Sequence, residues 1–157
     1  AHILVVSRDD DALAWTKANH GESLHEEGEE TLNSALAQGL EWIASQGAGS
    51  VLILPTDIPL LTVDDLFSLC AYQPEDPGML IVPDHTQLGT NALLLTRPDL
   101  LKPQFGANSF QAHCQQAERA HIHQTIYLNK HIQQDIDTPD DLALIQQSYL
   151  FKSPIAS

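Results

Sequence analysis

A chain of 157 residues with 43% hydrophobic residues can bury one core without disulfides or a structural metal, so a single domain over residues 1–157 is expected. Its formal charge of −14, from 21 acidic against 7 basic residues, argues against a nucleic-acid partner, although a divalent cation and backbone N–H groups can reverse the potential locally for a small anion. No apolar run approaches the ~20 residues that cross a bilayer, no signal-type segment opens the chain, and Cys70 and Cys114 have no CxxC partner; a cytoplasmic protein with two buried thiols and no membrane partner follows.

The first run, His2-Ile3-Leu4-Val5-Val6, is apolar and β-branched and reads as a buried strand feeding a helix that Asp9, Asp10 or Asp11 caps. A core strand this near the first residue, with no methionine before it, suggests missing N-terminal material, while an edge strand gives the same pattern. Residues 12–19 are expected to be helical and His20 to Gly28 a polar, Glu-rich connection. Leu32, Leu36, Leu40 and Ile43 set a helical spacing from Glu29 to Ser45, stopped by Gly47 and Gly49. Val51 to Leu54 reads as a strand covered on both faces and ended by Pro55.

A third helix starts from a cap at or beside Thr62 and runs to Ala71. Met79 to Val82, stopped at Pro83, and Asn91 to Leu95 are the next strands. A helix from Ser109 to Arg119, a short strand from Thr125 to Leu128 and a last helix opened by Pro139 complete the order. Strands separated by helices predict an open, mostly parallel α/β sheet with helices on both faces. Such sheets bind ligands beyond the carboxyl ends of their strands, here after Val6, Leu54, Val82 and Leu128.

Four loops carry candidate chemistry. Asp57 follows a buried strand between Pro55 and Pro59; it is either a hard-oxygen ligand suited to Mg²⁺ or the cap of the next turn. Asp135 and Asp137 are two apart, so in extended backbone their carboxylates share one side, which invites a cation between them; Asp137 or Thr138 is otherwise the cap of the last helix. Leu88-Gly89-Thr90-Asn91 offers a hydroxyl and an amide beside a permissive glycine, to grip a phosphate or carboxylate or simply to turn into the next strand. Phe105-Gly106-Ala107-Asn108-Ser109-Phe110 places free N–H groups at a helix start, where an anion is stabilised without lysine. Among eight histidines, His121 and His123 are spaced to share a metal but fit exposed side chains better. The chain has no GxSxG, GxGxxG or GxxxxGK[ST], which removes support for a serine hydrolase or a P-loop kinase.

Taken in order, Leu54-Pro55-Thr56-Asp57-Ile58-Pro59-Leu60-Leu61, Gly89-Thr90-Asn91-Ala92-Leu93, Phe105 to Phe110 with His113, and Asp135-Ile136-Asp137-Thr138-Pro139-Asp140-Asp141-Leu142 resemble the 2-phospho-L-lactate / phosphoenolpyruvate guanylyltransferase family. That family is part of the molybdenum-cofactor-type nucleotidyltransferases, and the resemblance covers essentially the whole chain. It implies an α/β, three-layer α/β/α Rossmann-like nucleotidyltransferase fold with a mostly parallel sheet. It also implies that the family's N-terminal strand and basic, small-residue triphosphate loop are lacking, which would leave a gap in the sheet.

The activity implied is transfer of GMP from GTP to phosphoenolpyruvate or 2-phospho-L-lactate, with release of pyrophosphate and Mg²⁺ as cofactor, on the way to a deazaflavin coenzyme. Asp57 and Asp137 would then be catalytic, and Asp57, Asp135 and Asp137 would hold metal. Thr90, Gly106 and Ser109 would grip the phosphorylated acid, and Asn33 would lie on the nucleotide side. The partners implied are that acid and GTP, with a homo-oligomer left open. A related transferase for a sugar phosphate or molybdenum cofactor, and a non-catalytic binding or assembly domain on the same sheet, are the alternatives.

Overall fold

The computed structural model describes residues 2–136 together with Ala143. Asp137, Thr138 and the helix expected from Pro139 onward lie outside the described residues. Among those described, six strands alternate with four helices: β1 (Leu4–Ser7), α1 (Asp10–Ala18), β2 (Glu22–His25), α2 (Leu32–Ser45), β3 (Val51–Ile53), α3 (Val63–Ala71), β4 (Gly78–Pro83), β5 (Thr90–Leu95), α4 (Ser109–Arg119) and β6 (His123–Ile126).

Helix starts follow from side chains that satisfy the otherwise unpaired first N–H groups. Asp9 accepts from the amides of Asp11 and Ala12 and so starts α1. Thr31 accepts from the Ser34 amide, which moves the start of α2 from Glu29 to Leu32. In α3, Thr62 and Asp65 form a reciprocal capping box.

β2 is a correction. His20 to Gly28 is not merely a connection, because Glu22–His25 pairs in parallel with Leu4–Ser7. Its side chains alternate too weakly to reveal a strand, with only Ser23 and Leu24 half-buried. β1 is also half-buried along its length rather than buried, and Ile3 beside it is 71% exposed.

β1 and β2 make one two-stranded sheet; the other four strands form a second in the order β3-β5-β4-β6. β5 is antiparallel to both its neighbours, and β4 is parallel to β6. Hence β3, β4 and β6 all run one way and β5 alone is reversed in that sheet. No ladder joins the two sheets among the described residues.

Period-two alternation in β4 and β5 builds a core on each face of the four-stranded sheet. Met79, Ile81, Leu93 and Leu95 pack with Leu40 of α2 and Ala117 of α4 on one side. Leu80, Val82, Ala92 and Leu94 pack with Leu69 of α3, Ile58 and Ile132 on the other. Helices on both faces give the three-layer α/β/α arrangement that the resemblance implies. Each of these large aliphatic side chains contributes about 1.5–3 kcal/mol on leaving water, which is why this sheet, rather than β1–β2, is the stable centre.

β6 begins two residues earlier than expected, since its parallel register sets His123 against Gly78 and Ile126 against Ile81. Cys70 corrects another expectation: it is exposed, on the outer side of α3, while Cys114 is partly buried. No helix among the described residues is long and apolar enough to cross a membrane.

Candidate functional site

The register fixes where the loops meet. The last residue of β3, Ile53, lies opposite Leu93, and the end of β4, Pro83, lies opposite Thr90 at the start of the reversed β5. The carboxyl ends of β3 and β4 and the amino end of β5 therefore share one rim, joined by the loop that leads into α4. A cleft of ≈ 710 Å³ opens there, lined by Asp57, Asp84, Asp135, Thr90, Gly106 and Ser109 among others.

Asp57 lies exposed in the loop after β3, and its carbonyl accepts the Ile136 amide at 3.0 Å. That bond brings the Asp57 and Asp135 segments side by side. Asp135 has a side chain 16% exposed, with His85 Nδ1 3.8 Å from its Oδ1.

The segment bearing Asp135 is moored from behind. Asn91, buried at the start of β5, donates from Nδ2 to the Ile132 carbonyl at 2.9 Å. Asn129 donates to Asp65 Oδ1 at 2.7 Å, and His131 Nδ1 lies 2.9 Å from Asp65 Oδ2. Burial acts to raise the pKa of Asp65, but hydrogen bonds from Thr62, Asn129, His131 and the Thr62 amide outweigh it and hold the carboxyl well below the usual carboxylate range.

The opposite wall is built from β5, the 105–108 loop and the start of α4. Thr90 is 6% exposed and Ser109 1%, yet both line the cleft and are hydrogen-bonded at 3.1 Å. Gly106 has φ +118°, a conformation that side chains resist. Gly89 answers a close approach instead: a Cβ there would stand 2.8 Å from Asp84 Oδ2, whose carboxylate accepts from Thr86 and from the Leu88 amide. Asn108 precedes α4 at φ +59° without capping it through its side chain. The Ser109 and Phe110 amides already bond the Gly106 and Leu88 carbonyls, so this helix start offers fewer free N–H groups than expected.

Of the residues singled out, Asp57, Asp135, Thr90, Gly106 and Ser109 share the cleft. Asn33 does not. Its amide forms a reciprocal pair with the backbone of Phe105, donating to the carbonyl at 3.0 Å and accepting from the N–H at 2.7 Å. It therefore shapes the 105–108 loop from α2. Asp137 lies outside the described residues. Asp84 and His85 add to the lining without having been singled out, although they follow Val82, one of the strand ends where ligands were expected. His113, fully buried on α4, was named only as part of the motif that carries the family resemblance, with no role given to it.

Among the described residues no Lys or Arg lines the cleft, whereas three carboxylates do. Arg8 is held elsewhere, its guanidinium on Glu30 at 2.9 Å and on the Gly28 carbonyl at 2.7 Å. Asp57 and Asp135 are hard oxygen donors facing one space, a set that fits Mg²⁺, which takes few protein ligands and fills its shell with water and substrate oxygens. Among the described residues there is no cluster of three His, Cys, Asp or Glu side chains that could hold a metal, at His121 and His123 or elsewhere.

The chain is similar in sequence and in fold to known proteins. A family model described as "Guanylyl transferase CofC like" matches residues 1–147. The chain is 37% identical over 146 residues to a phosphoenolpyruvate guanylyltransferase of Rubrobacter xylanophilus, covering 93% of this chain and 71% of that one. It is 38% identical over 111 residues to one of Sphaerobacter thermophilus, covering 71% and 53%. A 2-phospho-L-lactate guanylyltransferase of Methanothermobacter thermautotrophicus is 33% identical over 143 residues, covering 91% and 62%. The chain thus spans 53% to 71% of the length of these relatives. Among solved structures, a CMP:2-keto-3-deoxy-manno-octonic acid synthetase complexed with CTP superposes with a TM-score of 0.64 at 13% identity, over 98% of this chain and 82% of that one, which shows a shared fold.

Proposed function

The chain belongs to the CofC-like guanylyl transferase family, and we propose that the whole protein transfers GMP from GTP to phosphoenolpyruvate or 2-phospho-L-lactate, releasing pyrophosphate, as a cytoplasmic step toward a deazaflavin coenzyme. The observation that carries this is the composition of one cleft: Asp57 and Asp135 on one side, the Thr90 and Ser109 hydroxyls and Gly106 on the other, and no Lys or Arg among the described residues that line it.

In the proposed reaction a phosphate oxygen of the acceptor attacks the α-phosphorus of GTP; the bond from that phosphorus to its bridging oxygen breaks, and pyrophosphate leaves with the electron pair. A phosphate dianion already presents a nucleophilic oxygen, so no protein base is needed. Mg²⁺ held by Asp57 and Asp135, with Asp137 as a further ligand, would neutralise charge on the phosphoryl oxygens and on the departing pyrophosphate. The work of the protein's own groups is orientation. Thr90 supplies its hydroxyl to the acceptor, Ser109 donates to Thr90 and so helps to orient it, Gly106 lets the backbone approach, and Asn33 acts on the acceptor loop through Phe105 rather than on GTP.

Pyrophosphate release by the full-length protein tests this, with GTP and Mg²⁺ and each acceptor supplied in turn. Release is expected only when all three are present. Acceptor binding by calorimetry without release for either acid would support the non-catalytic alternative and overturn the proposal. D57N is expected to lower release by roughly 100-fold or more, the scale of losing metal-assisted charge stabilisation. Activity retained in D57N would remove Asp57 from the metal site.

A further inference from the structure

Both ring nitrogens of the buried His113 are engaged. Nε2 accepts the Gln104 amide at 3.1 Å, and the Phe105 ring packs edge-on against the imidazole with centroids 5.0 Å apart. A ring nitrogen that accepts from an amide carries no hydrogen, so in the neutral ring the hydrogen sits on Nδ1. Nδ1 is 3.2 Å from Thr90 Oγ1, to which it therefore donates. Ser109 Oγ donates to the same oxygen at 3.1 Å. Two donors fill the two lone pairs of Thr90 Oγ1, and its own hydrogen must point in a third direction.

We propose that His113 is a positioning residue: through a fixed Nδ1–H tautomer it makes the Thr90 hydroxyl a one-way hydrogen-bond donor toward an anionic oxygen in the cleft. A hydroxyl left to itself can donate or accept, and half of that freedom is useless to an anion. Where no Lys or Arg among the described residues lines the cleft, fixing the direction of the Thr90 hydroxyl replaces part of what a cation would supply. Burial supports the neutral ring, pushing the pKa of His113 down to about 4. The identity of the anion as a phosphorylated acid rests on the function proposed above, whereas the tautomer and the donor role do not.

The test uses the full-length protein with ¹⁵N-labelled histidine, and inorganic phosphate and phosphoenolpyruvate as probes. NMR at neutral pH is expected to show His113 protonated on Nδ1 alone; an Nε2–H tautomer or a charged ring would overturn the proposal. H113N, which keeps an N–H near the Nδ1 position, is expected to bind both probes close to wild type. H113L is expected to bind them roughly 10–100-fold more weakly, the range for one hydrogen bond to a charged group. If H113L does not fold, H113Q, whose amide reaches the Nε2 position instead, is expected to bind as weakly. Equal affinities in the Asn variant and in the Leu or Gln variant would also overturn the proposal.

A KM rise for the acceptor with kcat and the KM for GTP unchanged separates positioning from general loosening, which would move all three. Phosphate binding that follows this variant pattern without any transfer to phosphoenolpyruvate would overturn the proposed acceptor and leave the role of His113 standing. Normal turnover with the wrong tautomer would do the reverse.

Discussion

Ser109 is closed to solvent on all sides but the cleft, and its hydroxyl lies against Thr90. S109A removes one donor to Thr90 and one polar atom from the acceptor wall without opening the core. The acceptor KM is expected to rise by up to about tenfold, as for one hydrogen bond lost from those that orient the Thr90 hydroxyl, with little change in kcat. Steady-state pyrophosphate release at varied acceptor concentration checks it, and unchanged kinetics would take Ser109 out of the site. At this scale the sequence was legible where a residue acts next to its own loop. Asp57 between two prolines and Gly106 before a helix are local patterns, and both face the cleft. Asn33 was not legible, because its partner Phe105 lies 72 residues away and no local pattern of residues encodes a reciprocal amide pair.

α3 carries more than its own turn. Asp65 closes the capping box with Thr62 and also holds Asn129 and His131, so the helix start and the segment leading to Asp135 share one carboxylate. D65A is expected to destabilise the protein by about 1–3 kcal/mol at neutral pH, because the Thr62 amide and the Asn129 side chain lose a charged acceptor. The half-exposed His131 pair adds little to that, because water screens it. The native pKa of Asp65 is depressed, so the unfolded chain takes up the proton first as pH falls. Its contribution is complete above the ordinary carboxylate pKa of about 3.9 and is lost as pH drops below that toward the lowered native value. Urea unfolding at neutral and acidic pH should therefore show wild type and D65A converging in acid; a gap that is constant with pH would mean that the charge of Asp65 has no role. The cap at Thr62 was legible from residue types three apart. β2 was not: Glu22, Ser23, Leu24 and His25 show neither an apolar run nor a clear alternation, and only pairing with β1 makes them a strand.

Over the whole molecule the burial is uneven. Residues of β4 and β5 are buried throughout, whereas β1 is half-buried and pairs with β2 alone among the described residues. Opening of a short, half-exposed ladder requires little loss of apolar contact, so amides of β1 and β2 are expected to exchange with solvent well before those of β4 and β5. Hydrogen exchange read by mass spectrometry checks this, and uniform protection would contradict it. The layers were legible because apolar runs of four to six residues can only be covered from both sides. The reversal of β5 was not, since Asn91-Ala92-Leu93-Leu94-Leu95 reads equally well in either direction until its neighbours are known.

α2 touches both sheets and the acceptor wall. Gly39 lies so close to β1 that a Cβ would stand 3.0 Å from Val6 Cγ2, Leu40 enters the main core, and Asn33 holds Phe105. A rigid rod fixed at three points transmits tilt. Whatever steadies the β1–β2 pair also steadies the loop that carries Gly106. By reciprocity, a ligand seated on that loop is expected to make the opening of a strand pair that it never touches less favourable, which hydrogen exchange with and without the ligand checks.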